Sequence, residues 1–141
     1  MLIPNTSLIP NTSLISNTSL IKQYIISAIA MLLLDSIYLT TFTSFFNNIV
    51  LQIQGSKIKF KIVGGILCYM FLIFGLNHFI INAKKPLLEA FLLGIVIYAV
   101  YETTTYTILD KWPLSAVIID TLWGGILFTL TTYFTRMLMK M

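Results

Sequence analysis

From Leu87 to Thr135 the chain reads LLEAFLLGIVIYAVYETTTYTILDKWPLSAVIIDTLWGGILFTLTTYFT, two long apolar runs parted only by the short polar break Asp110-Lys111 ahead of Trp112 and Pro113. Each run, Leu87 to Leu109 and Pro113 to Thr135, is roughly 20 residues or longer, enough to cross a hydrocarbon layer of about 30 Å as a helix. Towards the N-terminus, Tyr24 to Phe46 and Ile62 to Ile81 have the same character. The composition agrees: 57% of the 141 residues are hydrophobic and only 10% are charged, with a mean hydropathy of +0.90, well beyond what a soluble core of this length requires. In lipid, backbone amides have no water to bond, so such spans must be continuous helices. The expected fold is all-α, a polytopic integral membrane protein with one four-helix transmembrane domain over residues 22–141 and no soluble domain beside it.

Ahead of that domain, residues 1–21 form a hexapeptide repeat, LIPNTS, LIPNTS, LISNTS and a final LI. A period of six with Pro4 and Pro10 cannot bury a core, so the segment is expected to be a flexible, low-complexity tail. The repeat creates glycosylation-type triplets at Asn5, Asn11 and Asn17, which read as by-products of its expansion. A cleavable signal peptide is not expected, because no basic segment precedes the first apolar run and that run continues past Ala28 and Ala30.

Four crossings put both termini on one face and the Lys57 and Lys111 loops on the other. Lys22, Lys84, Lys85, Arg136 and Lys140 lie on the terminal face against Lys57, Lys59, Lys61 and Lys111 opposite, a small surplus that places the termini in the cytoplasm by the positive-inside rule. The formal charge of +4 is then loop lysine beside headgroups. The partner it suits is the lipid bilayer, not nucleic acid.

Three of the five acidic residues, Asp35, Glu102 and Asp120, lie inside spans. A carboxylate at membrane depth is costly unless it faces protein, water or an ion, and such groups mark working sites. Glu102 precedes the end of its span, and Asp120 follows Pro113, by a distance that sets both about 10 Å below one surface, while Asp35 falls about 12–13 Å deep. The three carboxyls can therefore share a layer and form an acidic cluster opening towards the Lys57 and Lys111 loops.

Residues three or four apart on a helix share a face. That spacing sets Met31, Tyr38 and Leu39 beside Asp35, then Tyr98, Thr105 and Tyr106 beside Glu102, with Tyr101 adjoining, and Ala116, Trp123 and Gly124 beside Asp120. Phenol and indole supply donors to a buried anion. Two carboxyls brought close together repel, so a shared proton or a bound cation suits them. The alternative is architectural: each acid bonds a Tyr or Trp of the next helix and holds the bundle together.

Elsewhere, Gly64, Cys68 and Gly75 make a small-residue seam on the second span, with Gly124 and Gly125 a counterpart on the fourth. Trp112 suits the headgroup zone and Pro113 a helix start. A single Cys68 excludes an internal disulfide and a multi-cysteine metal site. His78 is the only histidine, far from the acids and beside Asn77, so it is expected at an interface or in a hydrogen bond, and no histidine-rich zinc site exists. With no lysine in mid-span, a Schiff base has no partner. No metal site and no cofactor are expected.

The segment YAVYETTTYTILDKWPLSAVIIDTLWGG, Tyr98 to Gly125, together with LLLDSIYL, Leu32 to Leu39, resembles the bacterial predicted membrane proteins grouped as domain of unknown function family 2177. The matching positions are Asp35 and Tyr38, Tyr101 and Glu102, Trp112 and Pro113, and Asp120, Trp123 and Gly124. Glu102 stands where the family's pattern has an aspartate and Tyr38 where it has a tryptophan; both keep the chemical type. The resemblance implies a four-helix membrane fold and the importance of these residues, but no activity. VIIDTLW around Asp120 also echoes LLLDSIY around Asp35. The echo reads as chance, because an in-plane symmetry axis would put the two acids in opposite halves of the membrane.

Three functions are compatible with this pattern. The leading one is a transporter or channel for a cation, proton or small polar solute, for which a homo-oligomer would thicken the wall of the path. The second is a structural or accessory protein packing against partner helices. The third is a membrane enzyme acting on lipid through a carboxylate-held metal.

Overall fold

A computed structural model describes residues 12–141. Four helices follow one another: α1 Thr12–Gln54, α2 Ile62–Leu76, α3 Leu87–Ile108 and α4 Leu114–Met139. The last turn of α2 widens into a π-helical turn over Asn77–Ile81. All four helices are long and apolar enough to cross a membrane, and they expose side chains such as Phe71, Val100 and Ile108 over most of their length, an apolar surface of the kind that a bilayer covers.

The helix ends follow local chemistry. Pro86 and Pro113 stand at the N-caps of α3 and α4, where the missing N–H costs nothing. Gly55 closes α1 in the left-handed region, φ 72°, and its N–H bonds Leu51 O at 3.0 Å. α2 through its π turn spans Ile62–Ile81, and α3 and α4 begin within a residue of the expected positions.

The first span departs from expectation. α1 runs 43 residues, about 65 Å, not Tyr24 to Phe46, because the chain between Pro10 and Gly55 contains neither proline nor glycine to stop it. The expected tail of residues 1–21 therefore falls partly outside the described residues, and from Thr12 onward it is helix. Ser16 replaces proline in the third repeat copy, which removes the helix breaker there. Asn17 lies within α1, whereas Asn5 and Asn11 fall outside the described residues.

α3 and α4 form the most extensive pair, α1 packs on α4, and α2 joins through α1. The α3–α4 contact is backbone on backbone: a Cβ on Gly94 would stand 2.1 Å from the carbonyl oxygen of Gly124. The Tyr98 ring covers Gly124, and Phe91 and Ile95 cover Gly125. This is the small-residue approach that lets membrane helices gain van der Waals contact. The seam expected on α2 does not pack in this way: a Cβ on Gly75 would meet nothing within 4 Å, and Gly64 faces only Lys61, while Cys68 is exposed. The reason is that α2 touches its neighbours through Leu72, Leu76, Ile80 and Ile81, which cluster with Met31, Ala90, Leu127 and Phe128 in the apolar core.

Candidate functional site

α1 and α4 each carry an aspartate followed three residues later by an aromatic, Asp35 with Tyr38 and Asp120 with Trp123. That spacing sets both members of each motif on one helix face, and α1 and α4 turn those faces towards each other in opposite directions. The donors consequently cross over. Tyr38 Oη donates to Asp120 Oδ1 at 2.9 Å, and Trp123 Nε1 donates to Asp35 Oδ1 at 2.7 Å. Between them the Tyr38 and Trp123 rings stack, with centroids 4.6 Å apart and planes 7° from parallel, a contact worth about 0.5–1.5 kcal/mol beyond its area. The two echoing segments thus cross-bond as a reciprocal clamp, each helix supplying one carboxyl and one aromatic donor.

Asp35 receives a second donor, the Tyr69 hydroxyl of α2, on its other carboxyl oxygen. It is buried and ties α1, α2 and α4 together. Tyr69 was not legible in the sequence, because it sits in an uninterrupted apolar run with no acid at helical spacing; its one signal is a phenol in the middle of a span.

Glu102 is buried to 1% exposure and accepts from Trp112 Nε1 at 2.8 Å. Trp112 therefore does more than mark the headgroup zone, as its ring also lies 6.4 Å from that of Phe46. The carboxyl groups of Glu102 and Asp120 are near enough to act on each other electrostatically, and both residues line one cleft. Two carboxylates are acceptors only and repel each other, so a shared proton or a bound cation would suit such a pair.

All three acids expected at one level are thus linked in one array, Tyr69–Asp35–Trp123 stacked on Tyr38–Asp120, with Glu102 and Trp112 beyond. Their donors are mostly residues of other helices, not the same-helix neighbours that the spacing offered. Of the tyrosines expected around Glu102, Tyr98 turns its ring onto Gly124 and Tyr106 is exposed. Tyr101 lines the same cleft.

That cleft, about 690 Å³, is lined by α1 and α3, by Gln54 and Lys59 near the loop that follows α1, and by Leu39, Glu102 and Asp120 further into the spans. Asp35 is not among its lining residues. The extension of α1 past Phe46 forms one wall through Asn47, Val50 and Gln54, and Lys111 Nζ steadies it by donating to Gln52 O at 3.0 Å. Below Asp35 the apolar core of Met31, Leu76, Leu127 and Phe128, each 0% exposed, stands between this array and the terminal face.

At the terminal end, sequence reasoning missed a second polar array. Asn77 is fully buried and donates to Ser27 Oγ at 2.7 Å and Ile73 O at 2.8 Å. Gln23 Nε2 donates to Asn77 Oδ1 at 2.9 Å and Asn82 Oδ1 at 2.7 Å. His78 is exposed and stacks on Phe74 at 5.5 Å. Among the described residues, no group of three metal-ligating side chains occurs.

Four apolar helices and an intramembrane acid array define a multi-pass integral membrane protein. The model of the family described as predicted membrane protein, domain of unknown function 2177, matches residues 20–137, and the chain belongs to that family. No curated protein and no solved structure matches it.

Proposed function

We propose that this protein is a small membrane carrier or channel that binds a cation or proton at the Glu102–Asp120 pair. The observation that carries the reading is that Glu102 and Asp120, both inside spans, line one cleft together. Intramembrane acids that line a cavity mark ion and proton pathways. Asp35 has two donors of its own and no share in the cleft, so its role is to hold the bundle, and the site proper narrows to two of the three acids. Tyr38 and Trp112 orient the pair.

The small surplus of basic residues on the terminal face favours termini in the cytoplasm, with the Lys57 and Lys111 loops on the opposite side. Since the lining ends at Leu39 and Asp120, a complete path needs a rearrangement of the helices beneath or a second copy of the chain, and a homo-oligomer follows from the second case. The bilayer is the partner; nucleic acid has no part in it.

The test is flux into proteoliposomes driven by a pH step. Glu102→Gln and Asp120→Asn should each abolish it, while Asp35→Asn retains it in monodisperse protein. Flux equal to that of empty liposomes for the unaltered protein, or undiminished flux in both site variants, would sink the reading. A structural role is the second reading, favoured by the three carboxyl hydrogen bonds that cross between helices. It expects the same substitutions to alter stability or assembly, with no flux at any stage.

A further inference from the structure

The dimensions and lining of the cleft speak to what it would hold. Its volume of about 690 Å³ is that of a small-molecule pocket, for which roughly 300–1,000 Å³ is usual, and far exceeds a bare ion. Its walls are largely apolar and aromatic, with Phe46, Val50, Ile58, Phe60, Leu109 and Trp112 among them. A hard inorganic cation needs about six or more oxygen ligands. Here the carboxyls offer few, since Tyr38 already occupies one oxygen of Asp120 and Trp112 one of Glu102. A cation carried on an apolar body needs no such shell: it requires a neutralising charge, aromatic faces and room. If the pair holds one proton in common, Glu102 and Asp120 present a single negative charge, which matches a single positive one. Lys59, which also lines the cleft, is exposed and lies in the loop between α1 and α2, outside the spans that carry Glu102 and Asp120.

Resting on the reading of the pair as a cation site, we propose that the cleft takes a lipophilic organic monocation, of the amine, quaternary ammonium or phosphonium class, with its charge at Glu102–Asp120 and its apolar body along the Phe46, Phe60 and Trp112 wall. Protons compete for the same place. When a second proton neutralises the pair, one cation leaves for each proton taken up, so affinity falls by up to tenfold per pH unit in that acidic range. The charged and titratable groups facing the pair are Asp35 and Tyr38 from α1 and Tyr98 and Tyr101 from α3.

The experiment is equilibrium binding of tetraphenylphosphonium to the detergent-solubilised full chain, with triphenylphosphine oxide as a neutral analogue and potassium and sodium as inorganic competitors. The expected result is saturable binding that neither the oxide nor the inorganic ions displace. The double variant Glu102→Gln/Asp120→Asn removes the charge and should weaken binding about 30-fold or more, whereas each single variant leaves one carboxylate and stays within about tenfold of the unaltered protein. If the double variant does not fold, the comparison of the three probe types on the unaltered protein decides the matter alone. Equal binding of the oxide, or full binding by a folded double variant, would overturn recognition of charge. Inorganic cation or proton flux sensitive to the two acids, without phosphonium binding, would overturn the substrate class and leave the cation site standing. Absence of both would overturn both.

Discussion

Gly94→Ala tests the contact on which the site geometry depends. The added Cβ would lie 2.1 Å from Gly124 O, 2.7 Å from its carbonyl carbon and 3.0 Å from Gly125 Cα, all backbone atoms that no side-chain rotation can move aside. Ordinary contact begins near 3.4 Å, so α3 must withdraw from α4 by about 1 Å or more. Such overpacking costs about 1–3 kcal/mol, against which the gain in helix propensity is about 1 kcal/mol, leaving a net loss of up to about 2 kcal/mol. Gly75→Ala is the matched control, because nothing lies within 4 Å of its Cβ and only the propensity gain applies. Glu102 lies about two turns along α3 from Gly94, so the same withdrawal carries it from Asp120. Any carboxyl–carboxyl hydrogen bond between them spans only about 2.5–3.0 Å, and a shift of that size breaks it. The assay is reversible unfolding in mixed micelles followed by circular dichroism, with the two alanine variants compared directly. Gly94→Ala as stable as Gly75→Ala would refute the backbone contact and the placement of Glu102 that follows from it.

Other outcomes follow from the two polar arrays. Asp35→Asn should be tolerated with a loss of about 1 kcal/mol, since its amide oxygen can still accept from Trp123 and its NH2 can donate to a turned Tyr69 hydroxyl; Asp35→Leu leaves the Tyr69 and Trp123 donors stranded and should cost about 2–4 kcal/mol in the same unfolding assay. Asn77→Ala removes the centre of the Gln23–Ser27–Asn82 array and should cost about 1–3 kcal/mol, whereas exposed His78→Ala should change stability by less than about 0.5 kcal/mol. In a double-mutant cycle, Tyr38→Phe and Trp123→Phe should couple by about 0.5 kcal/mol or more, because each ring positions the other; strict additivity would count against the reciprocal clamp.

Much of this architecture is legible in the residues. Hydropathy alone locates the spans, and the expense of Asp35, Glu102 and Asp120 in lipid marks the array. The far end of α1 is also readable, though from a different signal: hydropathy falls at Asn47 and Asn48, but the backbone continues as helix until Gly55 because no breaker intervenes. Hydrogen-bond partners are another matter. Spacing along one helix reports which residues share a face, not which face of which neighbour they meet, so it pairs Asp35 with Tyr38 and Asp120 with Trp123 where packing exchanges them. Tyr69, and Trp112 as a donor to Glu102, depend on the packing of the spans and the turn between them, information that no single segment holds. Asn77 is hidden for a related reason: the π turn over Asn77–Ile81 changes the helical register there, so a regular repeat does not say which of Asn77 and His78 faces inward.

The central claim, that Glu102 and Asp120 meet within the membrane and hold one proton in common, is open to infrared spectroscopy of the purified protein at neutral pH. A protonated carboxylic acid band should be present in the unaltered chain, persist in Asp35→Asn, and vanish in both Glu102→Gln and Asp120→Asn, where an amide donates to the remaining carboxylate. A spectrum with every carboxyl ionised, or a protonated band that survives either site substitution, would contradict it.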